Sequence, residues 1–184
     1  MSVADRVVID ASVALAYLTP EVGSQAAKDA ITGWLGSATE LLVPSHFWLE
    51  VTNRLARRSG VDPQEVVAMF VDLDLLALTT VELNRPLLLL VIDQMVRSGL
   101  SAYDAIYLAL ALSTDSQLAT LDQRLAAAAG DVGLLIGSDR GHGLAESRAA
   151  YRPTNEQYTG WTHSAVVGAH IADLRRRALD GTLV

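Results

Sequence analysis

Short apolar runs alternate with longer stretches of helical periodicity along the first 136 residues. The runs at 6–10, 41–44, 77–82, 117–121 and 132–136 lack the every-second-residue polar alternation of a half-exposed sheet. They predict short strands buried on both faces, as parallel strands are. Between them, helices are predicted over 12–18, 23–35, 45–59, 63–73, 85–97, 102–113 and 123–129. Some of these boundaries carry a mechanism. Asp62-Pro63-Gln64-Glu65 sets a capping side chain, an initial proline and a third-position Glu in order. Ser101-Ala102-Tyr103-Asp104 has capping-box spacing with Asp in place of Glu or Gln. Strands separated by helices predict an α/β fold with a parallel sheet and helices on both faces.

After residue 136 the pattern changes. Residues 138–143 read as a linker, 151–160 as a loop, and 162–179 as a terminal helix carrying Arg175, Arg176 and Arg177. The expected organisation is therefore one domain over 1–136 and a C-terminal extension over 137–184. The arginines have two readings. They are cations favourably placed at a helix C-terminus, or they fold back, on this chain or a neighbouring subunit, toward an acidic site.

Composition narrows the classes. A chain of 184 residues, 51% hydrophobic and 19% charged, fits one well-packed domain rather than a disordered chain. It has no cysteine, which excludes disulfides and thiolate metal sites. The first residues lack a basic region leading into an apolar stretch, and the longest apolar run, 86–92, falls far short of the roughly 20 residues of a membrane span. A cytoplasmic protein with no membrane association is expected. The net charge of −7 argues against broad electrostatic binding of nucleic acid. Of the 14 Lys and Arg residues only Lys28 is a lysine, so phosphate contacts would be local and arginine-led. A hydrolytic metal site, itself acidic, is compatible with this balance.

Four acids stand where such a fold could gather them. In open α/β sheets, ligands bind beyond the carboxyl ends of the strands. Asp10 and Asp122 end predicted strands, Asp104 lies in the first turn of a helix, and Glu50 lies about a turn and a half into another. Each also has a plain structural explanation. Asp10 and Asp122 suit helix N-caps, Asp104 completes a capping box, and Glu50 could pair with Arg54. Their surroundings weigh against that explanation. Residues 102–112 are apolar on nearly every side except at Asp104, and Glu50 sits among Phe47, Trp48, Leu49, Val51 and Leu55. Two like charges about 4 Å apart would repel by roughly 4 kcal/mol at an effective dielectric of about 20. A divalent cation relieves that repulsion, and hard oxygen ligands without Cys or paired His select Mg²⁺ or Mn²⁺ over zinc.

The motifs around these acids are Val8-Ile9-Asp10-Ala11-Ser12, Glu50-Val51-Thr52-Asn53, Tyr103-Asp104-Ala105-Ile106-Tyr107-Leu108-Ala109 and Thr120-Leu121-Asp122-Gln123-Arg124-Leu125. Their order, and their steps of 40, 54 and 18 positions between acids, resemble those of the PIN-domain nucleases, most closely the VapC-type toxins of bacterial toxin–antitoxin pairs. The resemblance covers about residues 6–136. It implies a PIN-like three-layer fold and an endoribonuclease dependent on Mg²⁺ or Mn²⁺ that leaves a 5′-phosphate and a 3′-hydroxyl. It further implies an RNA substrate, a cognate antitoxin and a homodimer. By the same analogy Asp10, Glu50, Asp104 and Asp122 are the metal-binding acids, Asp10 and Asp104 being the direct ligands. Ser12, Thr120 and Asn53 match supporting polar positions, and Ser101 is a further match. The extension over 137–184 has no counterpart in a minimal PIN domain.

Other chemistries have little support in the sequence. The four histidines, His46, His142, His163 and His170, form no metal-binding spacing, and neither a Gly-rich phosphate loop nor a Gly-x-Ser-x-Gly elbow is present. A phosphatase or receiver domain would use Asp10 as phosphoryl acceptor, but Lys28 lies in the wrong place to assist it. A PIN-like binding or scaffold module without catalysis is the remaining alternative.

Overall fold

The computed structural model describes residues 6–20, 22–58 and 62–137. These form, in order, β1 (Arg6–Ile9), α1 (Ala11–Leu18), α2 (Ser24–Gly36), β2 (Glu40–Pro44), α3 (His46–Ala56), α4 (Pro63–Asp74), β3 (Thr79–Val81), α5 (Arg85–Ser98), α6 (Ala102–Ser113), β4 (Gln117–Thr120), α7 (Gln123–Ala129), a 3₁₀ turn at Gly130–Val132 and β5 (Gly133–Leu135). The expected extension, its terminal helix and Arg175–Arg177 lie outside the described residues.

The five strands make one sheet in the order β3-β2-β1-β4-β5, with every neighbouring pair parallel and helices on both faces. This is the predicted α/β fold. After β1 the chain steps outward to β2 and β3, then returns through α5 and α6 to place β4 on the other side of β1. The strand order thus reverses between β1 and β4, the point where such sheets leave a crevice beyond their carboxyl ends. Ile9 is in register with Ala119, which brings the ends of these two strands level.

The interior strands are buried almost throughout, and their Val, Leu and Ile side chains join Phe47, Val51, Leu55, Leu73 and the apolar face of α6 in one core. Within α6 every residue from Ala105 to Ala111 is buried. A helix apolar all round is one covered on all sides. Glu50 lies in a less buried setting than its sequence neighbours imply. Phe47, Val51 and Leu55 point inward, but Leu49 is exposed.

The edge strands are shorter than expected. Residues 77–82 yield only Thr79–Val81, because Ala77 has a left-handed backbone (φ +51°) that no strand accommodates. Residues 132–136 yield Gly133–Leu135, Val132 being taken by the 3₁₀ turn. Helix starts follow side-chain caps. Asp62 accepts from Gln64 N ahead of Pro63, and Asn84 accepts from Leu87 N ahead of Arg85-Pro86. Apolar side chains remain exposed at four-residue intervals along α4 and its C-cap (Val67, Val71, Leu75) and on α5 (Leu88, Ile92, Val96). Among the described residues no helix is long and apolar enough to cross a membrane.

Candidate active site

Asp10 follows the last residue of β1 and is only 5% exposed. Its backbone still belongs to the sheet, with Asp10 N donating to Ala119 O at 3.1 Å. Its side chain caps α1, Oδ1 accepting from Val13 N at 3.1 Å. The Ser12 hydroxyl donates to the same oxygen, and the Thr120 hydroxyl donates to Oδ2. Burial nevertheless prevails over these three donors, and the nearby Glu50 charge acts in the same direction as burial. The carboxyl pKa is raised from 3.8 to about 6.

Two supporting hydroxyls extend this arrangement to β4. Ser12 Oγ accepts from Leu121 N at 2.9 Å while donating to Asp10. Thr120, fully buried, accepts from Asp122 N at 2.9 Å while donating to Asp10. Each hydroxyl therefore uses its donor on the carboxylate and an acceptor lone pair on the backbone that leads to Asp122. Asp122 in turn caps α7, its Oδ1 accepting from Arg124 N and Leu125 N. The plain explanation, helix capping, is thus correct for Asp10 and Asp122, and at Asp122 it occupies only one of the two oxygens.

Asp104 lies in the first turn of α6. Ser101 caps that helix, accepting from Asp104 N at 3.2 Å and donating to Asp104 Oδ2 at 2.8 Å. The box predicted from the sequence is present in altered form. The short Asp side chain meets the Ser hydroxyl, where a Glu would reach back to the cap's N–H. The guanidinium of Arg124 hydrogen-bonds the carbonyl of Gly99 and so ties α7 to the loop before Ser101.

Glu50 does not pair with Arg54. Its Oε2 accepts from the Tyr107 hydroxyl at 2.9 Å and lies 3.8 Å from His46 Nε2. Sequence reasoning missed both Tyr107 and His46. The signal for Tyr107 was present, since a tyrosine inside an apolar helix needs a partner for its hydroxyl. The spacing of His46 to the other histidines carries no sign of its place beside Glu50. The His46 ring packs on Tyr107 (centroids 4.9 Å apart) and Tyr103 (6.1 Å), and both ring nitrogens are buried without a hydrogen-bond partner among the described residues. Burial lowers its pKa, favouring the neutral ring, and the Tyr103 backbone offsets this in part. Asn53 is exposed, and its side chain makes no hydrogen bond among the described residues.

The structure therefore joins Asp10, Ser12, Thr120 and the Asp122 backbone by direct hydrogen bonds, with Glu50 close enough for its charge to act on Asp10. Asp104 and Asn53 have no direct bond to that group. Among the described residues no three His, Cys, Asp or Glu side chains form a group that could hold a metal ion by themselves. The chemistry of the donors still fits a hard divalent cation. None of the four acids is ion-paired with an arginine or lysine among the described residues. Within the same residues, Glu50, Asp104 and Asp122 each have one oxygen tied by hydrogen bonds and the other without a partner. Mg²⁺ needs only one or two carboxylates, keeping water in its remaining positions.

The family model for the PIN domain matches residues 7–131, which includes all four acids. Among solved structures the chain is similar to PAE2754 from Pyrobaculum aerophilum, at 23% identity and a TM-score of 0.52, over 67% of this chain and 79% of that one. At that identity the likeness is one of fold. No curated protein matches the chain. PIN domains are generally nucleases, and with the matched region spanning most of its length, this chain belongs to the PIN domain family.

Proposed function

We propose that this protein is an endoribonuclease dependent on Mg²⁺ or Mn²⁺, with Asp10, Glu50, Asp104 and Asp122 as its acidic centre. The observation that carries the reading is Asp10 itself. It is a buried carboxylate at the strand-order reversal, unpaired by any cation among the described residues and subject to the charge of a second acid. Without a counter-ion the ionised carboxylate is disfavoured by its burial despite its hydrogen bonds, and a divalent cation would offset that cost. When bound, such an ion lowers the pKa of a water and shields phosphate charge. Asp10 and Asp104 would hold it. Glu50 and Asp122 would orient water or hold a second ion through their unpartnered oxygens. Ser12 and Thr120 keep Asp10 aimed, and Asn53 would be a supporting side chain.

The test is cleavage of single-stranded RNA by the purified chain with Mn²⁺ and with EDTA, beside Asp104→Asn. The expected result is metal-dependent cleavage leaving 5′-phosphates, reduced about a hundredfold in the variant, the scale of losing one charged transition-state contact. Equal cleavage by both proteins would overturn it. The second reading is a PIN-like binding module without catalysis, and the absence of a three-acid group among the described residues favours it. No metal-dependent cleavage of any RNA would decide for that reading.

A role as the toxin of a toxin–antitoxin pair, a cognate antitoxin and a homodimer rest on the resemblance to VapC-type toxins, and a cytoplasmic location rests on the composition. Growth arrest on expression, absent in Asp10→Asn and relieved by the product of an adjacent small reading frame, would support the toxin role. Sedimentation of the pure chain at twice its monomer mass would support the dimer.

A further inference from the structure

We infer that Tyr107 is a positioning residue for the metal site. It fixes Glu50 so that one carboxylate oxygen is held and the other is left free for a cation or its water. The inference rests on the metal-dependent reading above and goes beyond the four acids.

The geometry has three parts. Tyr107 is 2% exposed, in the middle of the buried stretch of α6 and one turn after Asp104. Its hydroxyl donates to Glu50 Oε2 at 2.9 Å, across 57 positions of sequence. On its other side, the hydroxyl lies near the backbone N–H of Ala11, in the first turn of α1 directly after Asp10. An amide in that turn has no partner within its own helix. One hydroxyl thus stands beside the start of α1, next to Asp10, while it holds the Glu50 side chain of α3 whose charge acts on Asp10. His46 closes the other side of the ring, which limits the directions the phenol can turn.

Glu50 has a long side chain in a partly exposed position, where it would sample several rotamers. The Tyr107 bond selects one of them. The occupied oxygen is Oε2, approached also by His46, so Oε1 is the oxygen left for a cation or its water. A core tyrosine serving packing alone would gain nothing from its hydroxyl that phenylalanine lacks, apart from satisfying the group itself.

The experiment uses the full chain and isothermal titration with Mn²⁺ at pH 7 for four proteins: wild type, Tyr107→Phe, Glu50→Gln and the double variant. The expected result is a normal circular dichroism spectrum for Tyr107→Phe with Mn²⁺ affinity reduced about tenfold, the lower end of losses on removing a ligand's supporting group. In the Glu50→Gln background the same change should alter affinity by less than about twofold, because the interaction acts through Glu50. Affinity in Tyr107→Phe within about twofold of wild type, or an equal loss in both backgrounds, overturns the role of Tyr107. Wild-type protein that takes up no Mn²⁺ overturns the metal-site reading itself. Should Tyr107→Phe fail to fold, 3-fluorotyrosine placed at position 107 preserves the ring and hydroxyl. Its fluorine resonance should move on Mg²⁺ saturation in the wild-type background and stay fixed with Glu50→Gln. A resonance that Mg²⁺ leaves unmoved overturns the inference.

Discussion

Burial and hydrogen bonding pull the carboxyl of Asp10 in opposite directions, and burial wins, with a pKa of about 6 against the ordinary 3.8. The folded chain therefore holds the proton more tightly than the unfolded chain does. The stabilising contribution is complete below about pH 4 and is lost as pH rises through about 6. With two units worth roughly 3 kcal/mol, metal-free wild type should lose about that much relative to Asp10→Asn between pH 4 and pH 7. Urea unfolding of both proteins in EDTA measures it, and parallel pH profiles would refute it. Thr120→Val keeps the shape of a fully buried side chain but removes the donor to Asp10 and the acceptor for Asp122 N–H. About 1–3 kcal/mol of destabilisation is expected, with the Asp10 pKa raised further, read from its carboxyl carbon resonance. The hydroxyls at 12 and 120 were legible as motif positions. Their double use, as donors to the Asp10 carboxylate and acceptors from the backbone N–H groups of Leu121 and Asp122, was not, because it depends on the register of β1 with β4.

At the scale of elements, helix caps and strand lengths show where local signals suffice. The starts of α4 and α6 follow from Asp62-Pro63 and Ser101 alone, since a cap acts within one turn. The edge strands were overestimated, because apolar content does not reveal a left-handed residue such as Ala77. Gly133 shows a further constraint. A Cβ there would lie 2.6 Å from the Ala126 carbonyl oxygen and 3.1 Å from Ala129 Cβ, so α7 packs on β5 only because that side chain is absent. Gly133→Ala should displace α7 and destabilise the fold by about 1–3 kcal/mol, measured by thermal unfolding. Because Asp122 caps α7, the same variant should also weaken Mn²⁺ binding.

For the whole molecule, the acids and the fold are linked through the metal. An ion that binds only the folded chain stabilises it by about 2.7 kcal/mol at one hundred times its dissociation constant. Mn²⁺ should therefore raise the Tm of wild type at pH 7 and leave Asp10→Asn unchanged, as differential scanning calorimetry would register. The effect should fade below about pH 6, where protons compete for Asp10. The sequence by itself determined the α/β class and most helix limits, and it singled out four acidic positions. Those depend on periodicity and on residue types near one another in the chain. Only the tertiary structure decided that the strand order reverses beside β1, that Glu50 answers to Tyr107 rather than Arg54, and that Asp104 stands without a bond to the other acids. Such relations join residues tens of positions apart, and strand order and register, which no local pattern encodes, bring them together or hold them apart.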